Sequence, residues 1–158
     1  MKQLIAAAAA AAITLTACGG GSNGTVHQAA ASSAATWSTQ QARASYQQIV
    51  AKFNQDVTAW NTTPPRTVPV MRDAANRLAE DLRSIQAQLA AGRWPDTVID
   101  DVTNLVSTAG AERSAWLTVA AQSTVAGYQG AIAALTPVAD SDRAAAVKVR
   151  QDLGLPVK

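Results

Sequence analysis

The sequence predicts an all-α protein, an antiparallel up-down bundle of four to five helices that follows a signal peptide and a flexible linker. Three observations predict it. Apolar residues recur at helical spacing, most regularly at Met71, Ala74, Leu78, Leu82, Ile85 and Leu89, with intervals of 3, 4, 4, 3 and 4. Helix-stopping residues separate the stripes, at Pro64-Pro65, at Gly92 with Pro95, at Thr136-Pro137 and at Gly154 with Pro156. No period-2 run bounded by turn residues suggests a strand. Short connections between helices of similar length make consecutive helices antiparallel neighbours.

Residues 1–17 have the build of a signal peptide. Lys2 gives a basic start, and Leu4 to Leu15 is almost pure Ala, Ile, Leu and Thr, within the roughly 7–15 residues of a signal's apolar region. As a helix it would rise about 18 Å, short of the about 20 apolar residues that a bilayer core requires. It closes on Leu15-Thr16-Ala17-Cys18, followed by Gly19-Gly20-Gly21. This order resembles the lipobox signal of bacterial lipoproteins. In that family a small residue precedes the lipidated cysteine, as Ala17 does, and an aliphatic residue stands three before it, as Leu15 does. The resemblance implies Cys18 as the lipid attachment site, and two or three acyl chains give stable anchoring where one is marginal. It also implies a place at the cell membrane, on the extracytoplasmic face, with the membrane as a partner through the lipid. Cys18 is the only cysteine, so no internal disulfide and no metal-type Cys spacing is available.

Residues 18–36 form the lipidated N-terminus and a tether of Gly, Ser, Ala and Thr with almost nothing to bury. Such a tether has a reach of about 23 Å. The only histidine, His27, lies in it, where nothing fixes it for metal binding or base catalysis.

Residues 37–158 are the helical domain. The first helix is expected at 39–60, with Tyr46, Ile49, Val50, Phe53, Val57 and Trp60 on one face. Ser38 or Thr39 caps it, with Gln40 or Gln41 reaching back. The second starts after Thr67, tolerates Pro69 in its first turn and ends at Gly92, a candidate left-handed cap. Its outer face carries Arg72, Asp73, Arg77, Glu80, Asp81 and Arg83, a pattern expected to be solvated. The third begins at Trp94-Pro95-Asp96 and presents Val98, Val102, Leu105, Val106, Ala109, Trp116, Leu117 and Ala120. Gly110 within it suggests a close helix crossing. A break is expected near residues 122–124, because an unbroken helix to Leu135 would be about 60 Å against about 35 Å for its neighbours. A further piece with Val125, Tyr128, Ile132 and Leu135 is expected to end at Thr136-Pro137. Asp140 or Ser141 then caps a last helix that buries Ala146, Val149 and Leu153 and ends at Gly154-Leu155-Pro156.

Several strings in this domain resemble uncharacterised secreted or lipid-anchored all-helical proteins of actinobacteria. They are Tyr46-x-x-Ile49-Val50 with Asn54, the helix start Arg93-Trp94-Pro95, and the close Val149-Arg150-x-x-Leu153-Gly154-Leu155-Pro156. The chain departs from that family at Lys52, where its members often carry proline. The resemblance implies a compartment and a helical fold, and no reaction.

The chemistry-bearing residues are few. The formal charge of +2 includes Lys2 and gives no clustered basic stripe, so no nucleic-acid partner is expected. A nucleophilic triad lacks a placed histidine. Glu80 and Glu112 are the only glutamates, and neither has the Glu-x-x-His spacing of a carboxylate metal site. The glycine run at 19–24 lacks the strand–turn–helix context of a phosphate loop. Adjacent acids at Glu80-Asp81 and Asp100-Asp101 diverge by about 100° on a helix. No catalytic, cofactor-binding or metal residue is therefore assigned, and the protein is expected not to be an enzyme.

Trp37, Trp60, Trp94 and Trp116 are four of seven aromatic residues. Most are expected to fill the core. Trp37 and Trp94, at helix edges, and Asn54, beside the apolar face, are the candidate contacts for a partner or ligand. Two roles follow. One is a membrane-anchored interaction module of the cell envelope for an unknown envelope protein. The other is a carrier or sensor for an apolar small molecule or lipid within the bundle, since Ala74, Ala109, Ala120 and Ala146 leave room between helices. Intramolecular packing accounts for the heptad of the second helix, and a monomer is expected.

Overall fold

The computed structural model describes residues 35–62 and 67–157. The signal, Cys18, most of the tether and the Pro64-Pro65 link lie outside the described residues. Four helices, α1 (Thr39–Thr62), α2 (Val68–Ala91), α3 (Ile99–Ala120) and α4 (Val125–Asp152), pack as an all-α bundle. Each follows its neighbour after a short connection and packs against it, so the chain runs up and down.

Local chemistry sets the helix ends. Ser38 and Gln41 form a reciprocal capping box, Ser38 N donating to Gln41 Oε1 at 2.9 Å and Gln41 N to Ser38 Oγ at 3.3 Å. Thr67 precedes α2 in an extended conformation, with Pro69 in the first turn. Val98 N and Ile99 N both donate to Pro95 O, so Pro95 opens a turn and regular α3 starts at Ile99. The expected break at 122–124 is present, and Thr124 Oγ1 caps α4 by accepting from Gly127 N at 3.1 Å. At the far end Leu155 N donates to Arg150 O and Gly154 N to Gln151 O. With Gly154 at φ 63°, this is the Schellman stop expected there.

The expected break at Thr136-Pro137 does not occur. α4 continues through Pro137, and the carbonyl of Ala133 loses its amide partner. Ala133 and Pro137 are both exposed, so water can satisfy that carbonyl at little cost. Asp140 and Ser141 cap nothing. Asp140 pairs with Arg143 at 3.3 Å, and Ser141 Oγ donates back to Pro137 O at 3.0 Å. Burial on both sides of the proline, by Tyr128 and Leu135 before it and Ala145 and Val149 after it, keeps the two halves in one helix.

Gly92 also acts differently from expectation. Its φ is −68°, so no left-handed cap is needed. A Cβ there would stand 2.6 Å from Cε2 of Trp94. The indole folds over the end of α2 and donates from Nε1 to Leu89 O at 2.7 Å. Replacing Gly92 with alanine must displace a buried indole, and overpacking of this kind costs about 1–3 kcal/mol. A lower urea midpoint for Gly92→Ala, with the loss concentrated in Trp94 fluorescence, is the expected result. Gly110 does mark a close crossing. Gln86 of α2 reaches over it to donate from Nε2 to Val106 O at 3.0 Å, and a Cβ on Gly110 would lie 2.7 Å from that nitrogen.

The core runs along one side of α2 and between α3 and α4. Tyr46, Leu78, Leu82, Leu89, Val98, Val119, Tyr128, Val149 and Leu153 are its largest fully buried side chains. A buried aliphatic side chain of this size contributes about 1.5–3 kcal/mol. Two expected core residues lie outside it, Leu117 at 43% and Val125 at 46% exposure. Asp81, expected on the solvated face, is instead 7% exposed. Lys52 crosses from α1 to it, with Nζ 2.6 Å from Oδ1 and 2.9 Å from Asp56 Oδ2. Burial raises the Asp81 carboxyl above its ordinary range and the Lys52 ammonium opposes that rise. The same ammonium holds Asp56 below its ordinary value.

Candidate functional site, a cleft between the first and last helices

The helical stripe of α1 is buried only in its first half. Ala42, Tyr46 and Ile49 are buried, whereas Val50, Phe53, Val57 and Trp60 are half-buried. The reason is the position of α4. Arg43 Nε donates to the Leu153 carbonyl and holds the start of α1 to the end of α4. Beyond that clamp the two helices stand apart, and a cleft of about 730 Å³ opens between them. Its α1 wall is Tyr46, Phe53, Asn54 and Trp60, and its α4 wall is Ile132, Ala139, Ala146 and Arg150. Leu82, Ile85, Leu105 and Ala109 of α2 and α3 also line it.

Two acids enter the cleft from opposite helices. Glu112 of α3 is 5% exposed and Asp142 of α4 is 8% exposed. Each receives one neutral donor. Trp116 Nε1 lies 3.0 Å from Glu112 Oε1, and Thr108 Oγ1 lies 2.7 Å from Asp142 Oδ1. Burial, with the neighbouring Asp142 carboxyl, pushes Glu112 up to about 7. Burial raises Asp142 as well, while the hydrogen bond from the Thr108 hydroxyl opposes the rise. Among the described residues neither acid has a salt bridge; Arg143 is paired with Asp140 on the surface. Arg150, at the rim, donates from Nε to Pro156 O at 2.9 Å. The phenol of Tyr46 is raised to about 12 by burial and stays neutral.

Aromatic rings stiffen the walls. Trp60 and Trp116 meet edge to face at 5.1 Å and 78° across the α1–α3 side of the cleft. The other tryptophan pair is elsewhere. Trp37 meets Trp94 at 5.0 Å and 78°, and Trp37 N donates to Arg93 O at 2.7 Å, so the pair staples the entry of α1 to the α2–α3 connection. Trp94 is 3% exposed, which corrects the expectation that it remains partly open to a partner; its apolar rings close the core at the end of α2. Trp37 is half-buried against it. Asn54 is exposed on the α1 lip of the cleft. Of the three candidate contacts, only Asn54 reaches the cleft.

The residues that sequence reasoning missed are Glu112, Asp142, Trp60 and Trp116. A signal for the acids was present. Ala109, Glu112 and Trp116 are spaced 3 and 4, as are Leu135, Ala139 and Asp142 at 4 and 3. A charge in register with an apolar stripe points into the bundle.

Among the described residues no group of three His, Cys, Asp or Glu side chains is placed to hold a metal ion. No described helix is long and apolar enough to cross a membrane. Neither a family model, nor a curated protein, nor a solved structure matches this chain.

Proposed function

We propose that this protein is a lipid-anchored binding protein of the cell envelope, which holds a small, largely apolar molecule in the α1–α4 cleft and catalyses no reaction on it. The cleft is the observation that carries the reading. Its volume, about 730 Å³, falls within the roughly 300–1,000 Å³ of small-molecule sites. Its lining combines aromatic and aliphatic walls with polar and charged side chains, among them Asn54, Glu112, Asp142 and Arg150. Of the two roles the sequence suggests, this geometry favours the carrier or sensor over the module for an envelope protein. A groove that runs into the core suits a ligand that inserts, whereas a protein partner reads the outside of a bundle. The anchor is supported by Leu15-Thr16-Ala17-Cys18 and its resemblance to the lipobox.

Native mass spectrometry of the full-length protein, extracted gently from its own membrane, tests both halves. The expected species starts at Cys18, carries acyl mass, and holds a discrete further mass that is released on activation. Ala146→Phe, which pushes a ring from α4 into the cleft, is expected to lose that further mass and keep the acyl mass. A further mass retained by Ala146→Phe would place the ligand elsewhere. An unacylated form cleaved at another position would overturn the anchor.

A further inference from the structure

The floor of the cleft is electrostatically incomplete. Glu112 and Asp142 are more than nine-tenths buried and come from facing helices. Their donors, an indole N–H and a hydroxyl, are neutral. Once ionised, the pair holds negative charge inside the cleft. Burying an unpaired carboxylate is costly, and among the described residues no ammonium or guanidinium forms a salt bridge to it. Two guanidiniums line the same cleft without bridging to the acids: Arg143 pairs with Asp140 and is near enough to Glu112 to oppose the rise of its carboxyl, and Arg150 donates to the Pro156 carbonyl. The other buried acid shows the contrast, because Asp81 has Lys52 at 2.6 Å. The walls around the floor carry Phe53, Trp60 and Trp116, rings whose faces attract cations.

We propose that the cleft recognises molecules with a single ammonium group on an apolar body, the ammonium seated at the Glu112–Asp142 pair and the body between Phe53, Trp60 and Ile132. The inference rests on the cleft being the binding site and adds the chemical class of its ligand. An ammonium supplies the missing positive charge and up to three donors to the carboxylate oxygens. A neutral analogue would leave the buried charge uncompensated, and an anion would add a second like charge.

The test is calorimetric titration of the full-length protein in nanodiscs at pH 8 with three probes of similar size: phenethylammonium, 2-phenylethanol and 3-phenylpropionate. Phenethylammonium is expected to bind at least tenfold more tightly than 2-phenylethanol, with 3-phenylpropionate weakest. The double variant Glu112→Gln/Asp142→Asn, which leaves no carboxylate at the floor, is expected to lose that tenfold preference of the ammonium over the alcohol. Circular dichroism of this variant checks that the helices persist. Equal binding of the ammonium and the alcohol, abolished by Ala146→Phe, would overturn the charge recognition and leave the cleft as a binding site. Binding of none of the three probes would overturn both readings. Preferred binding of 3-phenylpropionate would assign recognition to Arg143 and Arg150 and overturn the proposal.

Discussion

Replacing Trp116 with alanine will lower the stability of the bundle by about 3–5 kcal/mol, the range for removing a buried large aromatic side chain. Three losses combine. The side chain is 5% exposed and packs where α1 meets α3, so its removal leaves a void the backbone cannot close. Trp60 loses its edge-to-face partner at 5.1 Å, an arrangement worth about 0.5–1.5 kcal/mol beyond buried area. Glu112 loses the indole donor at 3.0 Å, and a buried acceptor deprived of its donor costs about 1–3 kcal/mol. These contributions overlap and do not add. Trp116→Phe keeps most of the volume but not the N–H, so it should lose distinctly less. Urea unfolding followed by circular dichroism measures both. A loss below 1 kcal/mol for Trp116→Ala would mean that the ring does not pack as described.

The second large effect is on pH. Glu112 is raised from its ordinary value of 4.5 to about 7. The folded protein therefore binds a proton more tightly than the unfolded chain does. Between about pH 4.5 and pH 7 the folded state holds more protons, and linkage makes unfolding easier as pH rises. At about 1.4 kcal/mol per pKa unit, a rise from 4.5 to about 7 lowers stability by about 3–4 kcal/mol across that window. Asp142 is also raised and acts in the same direction. The bundle should thus be more stable at pH 5 than at pH 8. Glu112→Gln, which cannot ionise, should flatten most of that slope and be the more stable protein at pH 8. A wild-type stability that rises from pH 5 to pH 8 would contradict the raised Glu112 carboxyl.

Much of the fold was legible in the sequence because helix ends and apolar stripes are local. Ser38 with Gln41 and Gly154-Leu155-Pro156 declare a start and a stop through bonds made within a few residues, and Pro69 marks the first turn of α2, although the Thr67 side chain makes no capping bond there. Pro137 misled because a proline's cost depends on whether the freed carbonyl reaches water, and that depends on which face the neighbouring helices cover. Gly92 was legible as a helix end, but its cause was not, since the indole of Trp94 folds back over it. The cleft was the least legible feature. Tyr46, Phe53 and Trp60 form an unbroken stripe, and nothing in their spacing shows that α4 leaves half of it uncovered. Glu112 and Asp142 are thirty positions apart in a chain whose helical periods relate residues three and four apart. Their meeting is a consequence of how α3 and α4 pack. Asp81 was misplaced for a similar reason, because its partner Lys52 lies on another helix.

Pro137 gives the cleft a mechanical property. The hydrogen-bond ladder of α4 lacks one rung there, midway along the wall that carries Ile132, Leu135, Ala139 and Ala146. Bending a helix stretches its ladder, and the resistance is smallest where a rung is already missing. The rest of the lining comes from helices without an internal proline among the described residues. The far segment of α4 is also held, by the clamp from Arg43 to Leu153 and by Lys148 reaching Asp101 of α3 at 3.4 Å. One wall is therefore jointed, with its far segment fixed and its near segment the more compliant. Adjustment of the cleft's width to an occupant concentrates at that joint, and the carboxyl-bearing floor stays in register while the wall moves.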